Sequence, residues 1–210
     1  MALTNRDKAI IADLNKFRVM DRDTIAELHF GNLRRPKYAS NNVLLRLLRD
    51  GHIQRSTARQ PYVYFGGETT MKKNSAKIDH FLAIGNVYKE MRGQALESFL
   101  VEPKYGDKGT VEPDIFALYR RTPFFIEVQR SVYSEKQMRE KLDRYEAFFQ
   151  SGIIALEAWQ NPERIMFPHV LILSDTRYGL PSFPFKVFQA PTFTAFIQSI
   201  TKPKEKTPAN

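Results

Sequence analysis

The sequence predicts an α/β protein made of two modules, and three observations lead to this prediction. Helical and strand-like apolar patterns both recur along the 210 residues, of which 42% are hydrophobic, enough to bury a substantial core. A polar segment at 68–76 interrupts these patterns and is predicted to be a linker. Residues 1–67 carry 12 basic and 6 acidic side chains and so hold +6 of the net charge of +9. The predicted modules are therefore a basic one at 1–67 and a more balanced one at 77–200, followed by a disordered tail at 201–210.

The composition excludes several classes of protein and site. The chain has no Cys, which rules out a disulfide framework, a thiol nucleophile and a Cys-ligated zinc or iron–sulfur centre. Its four His residues do not have the spacing of zinc ligands. No apolar run has the length of a membrane span. The N-terminal sequence lacks the apolar segment of a signal peptide, so a cytoplasmic location is expected.

The first module is predicted to contain three short helices and then a β-hairpin. Helices are predicted at 5–17, 24–29 and 41–49, and strands at 53–57 and 62–65. Thr4 and Asp7 have the spacing of a capping box for the first helix, and Ser40 is the predicted cap of the third. This order resembles a winged helix-turn-helix, in which the third helix enters the major groove of duplex DNA. A small helical bundle with a hairpin and no ligand is the alternative.

The third helix and its flanks supply the predicted DNA contacts. The residues predicted to meet base edges are Ser40, Asn41, Asn42, Leu45 and Arg46. Asn can read adenine and Arg can read guanine, each through two hydrogen bonds. The residues predicted to contact phosphates are Arg34, Arg35 and Lys37 before the helix, and Arg55 and Arg59 on the hairpin. Such contacts make the affinity for DNA fall steeply with salt.

The second module is predicted to run helix, strand, strand, strand, helix, strand. The predicted helices cover 77–92 and 135–150, the strands cover 97–102, 111–119, 123–129 and 169–173, and a further strand and helix are predicted at 184–188 and 192–200. Asp114 lies near the start of one strand, and Glu127 and Gln129 share one face of the next. If these strands pair as a hairpin, Asp114 comes close to Glu127. Two such carboxylates suit Mg²⁺, which can activate water at a scissile phosphate, and Glu90 is a candidate third ligand.

The pattern of Pro113-Asp114 followed by Glu127-Val128-Gln129 resembles the PD-(D/E)xK nuclease-like superfamily over residues 77–173. This resemblance implies a restriction-endonuclease-like αβββαβ fold. Gln129 stands where the superfamily usually has Lys. Some members with Gln at this position still cleave DNA and others have lost activity, so the motif leaves catalysis open.

The whole chain resembles the replication-relaxation family of plasmids and other mobile elements, in which a winged helix precedes a nuclease-like domain. The residues that carry this resemblance are His80, Pro113, Asp114, Glu127, Gln129, Lys141 and Tyr145. The resemblance implies that the chain binds duplex DNA of a plasmid, phage or integrative element during replication or relaxation. A relaxase, a replication initiator or a second copy of the chain are further partners that this function would allow.

Three other functions remain open from the sequence. The chain could be a Mg²⁺-dependent endonuclease or nickase that uses Asp114, Glu127, Gln129 and Lys141. It could instead be a transcriptional regulator whose second domain is not catalytic, or an adaptor that recruits a replication protein. The acidic residues could also be ordinary strand-end acids paired with Arg120, Arg121 or Arg130. Lys141 and Arg144 are expected either on a solvated helix face or in contact with phosphate.

Overall fold

The chain is described from a computed structural model over residues 2–93, 95–107 and 109–201. Within these residues it is a mixed α/β protein with six α-helices, one short 3-10 helix and two sheets. Two compact units divide the chain, the first ending at Lys89 and the second beginning at Glu90. No helix in the described part of the chain is long and apolar enough to cross a membrane.

The first unit combines a three-stranded sheet with short helices. Its helices are α1 (Asn5–Phe17), α2 (Arg22–Phe30), α3 (Pro36–Arg49) and most of α4 (Ile78–Met91). Its strands β1 (Met20–Asp21), β2 (Ile53–Ser56) and β3 (Val63–Gly66) pair antiparallel in the order β1-β3-β2. The predicted capping box of α1 is confirmed, because the Thr4 and Asp7 side chains each accept a hydrogen bond from the other's backbone N–H. The Asp21 side chain caps α2 by accepting a hydrogen bond from the Thr24 N–H at 2.7 Å.

The third helix begins earlier than predicted. Its first residue is Pro36, whose fixed φ suits the start of a helix and whose missing N–H leaves no donor unsatisfied there. The prediction that Ser40 caps this helix is therefore wrong. Ser40 lies fully buried inside the helix and donates its hydroxyl to the Lys37 carbonyl at 2.9 Å. Tyr38 consequently belongs to α3.

A compact apolar core holds the first unit together. Ile10, Leu14 and Phe17 of α1 are fully buried, as are Leu44 and Leu47 of α3 and Phe65 of β3. The α4 helix joins this core through Tyr88, whose ring lies 5.0 Å from that of Phe17. An ion pair of 2.9 Å between Lys89 and Glu27 of α2 adds a polar contact. Burial of these helix faces explains why short helices with modest intrinsic stability persist here.

The second unit is built on a five-stranded sheet in the order β4-β5-β6-β7-β8. Its strands are β4 (Leu96–Val101), β5 (Ile115–Tyr119), β6 (Thr122–Val128), β7 (His169–Leu173) and β8 (Val187–Ala190). The first three strands pair antiparallel, whereas β6, β7 and β8 run parallel. The connection from β6 to β7 contains α5 (Glu135–Ser151), as a parallel crossover requires. The unit also contains α6 (Phe193–Thr201). Of the predicted tail at 201–210, Thr201 ends α6 and residues 202–210 lie outside the described residues.

Helices α5 and α6 contact side chains from opposite faces of this sheet. Successive strand residues point to opposite faces, so Phe125 packs against Tyr145 and Phe148 of α5. The neighbouring Phe124 instead contacts Phe196 of α6, with ring centroids 5.7 Å apart. Residues two positions from Phe125 therefore face α5, and this rule places Glu127 on the α5 side of the sheet.

Candidate functional site

One face of α3 is open to solvent. Tyr38, Asn41, Asn42, Leu45 and Arg49 recur at helical spacing along this face, opposite the buried Ser40, Leu44 and Leu47. Tyr38 is 65% exposed and Leu45 is 54% exposed, which is unusual for large apolar side chains on a helix that packs so well on its other side. We call the residues Tyr38, Asn41, Asn42 and Leu45 the open face of α3. Sequence reasoning missed Tyr38, because the mistaken cap at Ser40 left it outside the helix.

Arg34 and Arg35 lie in the turn that leads into α3. Both side chains are exposed, and neither guanidinium has an ion-pair or hydrogen-bond partner among the residues that the structure describes. Asn41 and Asn42 follow within the first two turns of the helix. The structure therefore brings two unpaired cations and two amides together at one end of α3.

Three other predicted DNA-binding residues are engaged inside the first unit. Lys37 pairs with Asp23 at 2.9 Å, and Arg46 donates to the buried Asp7 at 2.7 Å. Burial raises the pKa of Asp7, but the hydrogen bonds from Arg46 and Thr4 outweigh it, so the pKa lies below its ordinary value. Arg46 thus links α3 to the capping box of α1. The buried Ser40 is the third of these residues.

The β2–β3 hairpin carries the last two predicted DNA contacts. The Arg55 guanidinium lies over the ring of Tyr62, 5.1 Å from its centroid. Arg59 forms a two-pronged ion pair with Asp79 of α4, one arm of which measures 3.1 Å. Hydrogen bonding to Asp79 raises the pKa of Arg59. Hydrogen bonding to Asp23 likewise raises the pKa of Arg22. The hairpin is therefore fastened to α4 through Arg59.

In the second unit, the β5–β6 hairpin brings Asp114 beside Glu127. The strands pair antiparallel with Ile115 opposite Ile126, so Asp114 and Glu127 occupy the next position of the ladder. One Asp114 carboxylate oxygen, Oδ2, accepts a hydrogen bond from the Val128 backbone N–H at 2.7 Å. The two carboxylates of the acidic motif therefore meet at the end of this hairpin, as the strand pattern predicts.

Glu127 is enclosed by the protein. Only 1% of its surface is exposed. Its Oε1 atom accepts a 2.6 Å hydrogen bond from the Tyr145 hydroxyl, and its Oε2 atom lies 2.5 Å from the Lys141 ammonium. Burial raises the pKa of Glu127 to about 7, and the nearby Asp114 charge adds to this rise, while Lys141 and Tyr145 oppose it. Both partners come from α5, four residues apart on one helix face.

The pKa of Lys141 is affected by both Glu127 and Asp114. Burial lowers its pKa, but the Glu127 and Asp114 carboxylates outweigh burial, and the pKa lies above its ordinary value. The Lys141 side chain is 15% exposed, and its ammonium lies 5.9 Å from the centroid of the Tyr133 ring. Lys141 therefore occupies neither of the positions expected for it, because it forms an ion pair at the edge of the core. The interpretation of Glu127 as a partner of Arg120, Arg121 or Arg130 is likewise wrong.

The remaining predicted site residues point elsewhere. The Gln129 amide donates to the Ser131 carbonyl at 2.7 Å and so holds the loop after β6. Glu90 accepts hydrogen bonds from the backbone and the hydroxyl of Thr194 in the first turn of α6. Among the residues described, no group of three or more His, Cys, Asp and Glu side chains could hold a metal ion. The structure thus brings Asp114, Glu127 and Lys141 together without Glu90.

A family model described as replication-relaxation matches residues 11–162, a segment that contains both α3 and the acidic motif. No curated protein and no solved structure matches the chain.

Proposed function

Because the chain belongs to the replication-relaxation family, we propose that it binds duplex DNA of a plasmid, phage or integrative element and acts in the replication or relaxation of that DNA. The open face of α3, with unpaired Arg34 and Arg35 beside it, is the observation that carries this proposal. A helix that buries one side and presents amides on the other, with two unpaired cations in the turn before it, suits entry into the major groove.

The arrangement of the first unit supports a winged helix-turn-helix. Helices α1 to α3 precede the β2–β3 hairpin in the order of that fold, with α3 as the recognition helix and the hairpin as the wing. Arg34 and Arg35 would contact phosphates, whereas Asn41 and Asn42 would meet base edges. Leu45 would pack against thymine methyl groups, which accounts for an exposed leucine on this face.

The order of the elements from α4 onward supports a nuclease-like fold. Helix α4 is followed by three antiparallel strands, the α5 crossover and the parallel strand β7. This is the αβββαβ order implied by the Asp114 and Glu127 motif. A shared fold carries no assignment of activity by itself, because function resides in particular sites.

The proposal predicts a specific loss when the two free arginines are removed. In the Arg34→Ala/Arg35→Ala double variant, we expect duplex affinity to fall by about tenfold or more and the salt slope to flatten by about two. Fluorescence anisotropy over a series of salt concentrations measures both. The matched control is Lys72→Ala/Lys73→Ala, which removes two adjacent exposed cations from another segment of the same unit. Equal losses in the two double variants would contradict a localised interface on α3.

Base recognition is tested separately from phosphate binding. Asn41→Ala should change which duplexes bind best, because the lost amide contact discriminates between bases by about 1–3 kcal/mol. Selection from a random duplex pool, carried out with wild type and variant, compares their preferences. An equal loss of affinity on every duplex would contradict a base-reading role for Asn41.

A further inference from the structure

Glu127 is a buried carboxylate whose charge is compensated by neighbouring side chains. It follows the apolar run of β6 on the α5 side of the sheet, beside the aromatic core around Phe125, Tyr145 and Phe148. A buried carboxylate is costly unless hydrogen bonds and an opposite charge compensate it. Both of its oxygens are compensated, one by the Tyr145 hydroxyl and the other by the Lys141 ammonium.

The positive charge between the acids is supplied by the chain itself. The Lys141 stem rises from α5, and its ammonium reaches Oε2 of Glu127. The Asp114 carboxylate acts on the same ammonium, and one of its oxygens is already bound by the Val128 N–H. Lysine is a single compact cation on a flexible stem, which suits this position.

The donor set does not fit the divalent metal that the nuclease-like motif implies. Mg²⁺ prefers octahedral oxygen ligands and keeps several of its waters. Glu127 is nearly inaccessible and its two oxygens are taken. Glu90, the predicted third acid, is bound to Thr194, and no three-residue metal group exists among the described residues. A metal would have to displace Lys141 and open the core around Tyr145.

We propose that the Lys141 ammonium takes the place of a divalent cation between Asp114 and Glu127 and keeps this pair of acids closed to metal. The acidic motif of the second unit is then an internal ion-pair network that fastens α5 to β6. It is not a metal-dependent nuclease centre. This inference stands whether or not α3 binds DNA, because it concerns metal binding alone.

The test is Mn²⁺ binding to the full chain, followed by the electron paramagnetic resonance signal of the free ion. We expect that wild type has no Mn²⁺ site that depends on Asp114. Asp114→Asn should therefore leave the amount of bound Mn²⁺ unchanged. Lys141→Met keeps most of the stem and removes the charge, so it should bind Mn²⁺ at least about tenfold more tightly than wild type. That gain should disappear in Lys141→Met/Glu127→Gln.

The control is Lys136→Met, which neutralises a lysine of the same helix whose side chain is 86% exposed. It should gain no Mn²⁺ affinity. Asp114-dependent binding by wild type would overturn the proposal, and so would a folded Lys141→Met variant that gains nothing. If Lys141→Met fails to fold, wild type against Asp114→Asn still decides: Asp114-dependent binding overturns the proposal, and its absence supports it. A nicking assay on supercoiled plasmid with Mg²⁺ or Mn²⁺ gives another check. The proposal would also be overturned if wild type nicked the plasmid and Glu127→Gln did not.

Discussion

The two units differ in whether their functional candidates are exposed and unpaired or buried and paired. In the turn before α3 of the first unit, Arg34 and Arg35 are exposed and have no partner among the described residues, and Asn41 and Asn42 follow in the helix. In the second unit, Glu127 is buried and both of its oxygens are bound by groups from α5. Charges left open in water cost little and remain ready for a ligand, whereas buried charges must be matched within the fold. The two proposed roles follow this difference: DNA binding at the open face of α3, and an architectural role for the acidic motif.

The largest expected effect comes from breaking the buried network. Glu127→Ala leaves Lys141 beside the core without its ion-pair partner and removes the acceptor of the Tyr145 hydroxyl. Removing one member of a buried pair typically lowers the free energy of unfolding by about 3–5 kcal/mol. Urea denaturation at a pH above 7, where Glu127 is ionised, followed by circular dichroism measures the loss.

The control for this prediction is Gln129→Ala. It removes a single loop hydrogen bond to Ser131, so the expected loss is about 1 kcal/mol. Glu127→Gln/Lys141→Met, which removes both charges, should regain most of the stability lost in Glu127→Ala. A loss below about 1 kcal/mol in Glu127→Ala would contradict an architectural role for the acidic motif.

The free energy of unfolding should also depend on pH, because the pKa of Glu127 is raised. This effect should be somewhat smaller than that of Glu127→Ala. Burial raises that pKa from 4.5 to about 7, so between these values the folded chain holds a proton that the unfolded chain releases. The contribution of protonated Glu127 to the free energy of unfolding is complete below about pH 4.5, and it is lost as pH rises through about 7. At 1.36 kcal/mol per pKa unit, the loss is about 3 kcal/mol.

Urea denaturation across this pH range, compared between wild type and Glu127→Gln, isolates the effect. The neutral amide cannot titrate, so the stability difference between the two proteins should change as pH rises. Tyr145→Phe provides a second check, because the Tyr145 hydrogen bond lowers the pKa of Glu127. Its removal should shift the loss of stability to higher pH. Parallel stability curves for wild type and Glu127→Gln would contradict the prediction.

Local signals explain what the sequence predicted well. The capping box at Thr4 with Asp7 forms as predicted, because it needs only residues three apart. The meeting of Asp114 and Glu127 was also predictable, since hairpin pairing fixes which residues lie opposite each other.

Two features depended on information that local pattern lacks. The start of α3 is one of them: the sequence predicted a cap at Ser40, whereas the helix begins at Pro36. The partner of Glu127 comes from α5, across a crossover connection, so its identity depends on how the helix packs on the sheet. Lys141 and Tyr145 lie four residues apart, which indicates a shared helix face and does not reveal what that face meets.

The smallest expected effect separates paired cations from free ones within the first unit. Arg59 is held by Asp79, so Arg59→Ala should leave the salt slope of duplex binding unchanged and alter affinity by less than about threefold, whereas Arg34→Ala should flatten the slope by about one. The Arg59–Asp79 pair itself is partly exposed and should contribute about 1 kcal/mol or less in a double-mutant cycle. Anisotropy titrations over a salt series measure the first quantity, and urea denaturation measures the second. If Arg59→Ala flattened the slope as much as Arg34→Ala does, Arg59 would contact phosphate despite its bond to Asp79, and intramolecular pairing would no longer separate structural cations from DNA-binding ones.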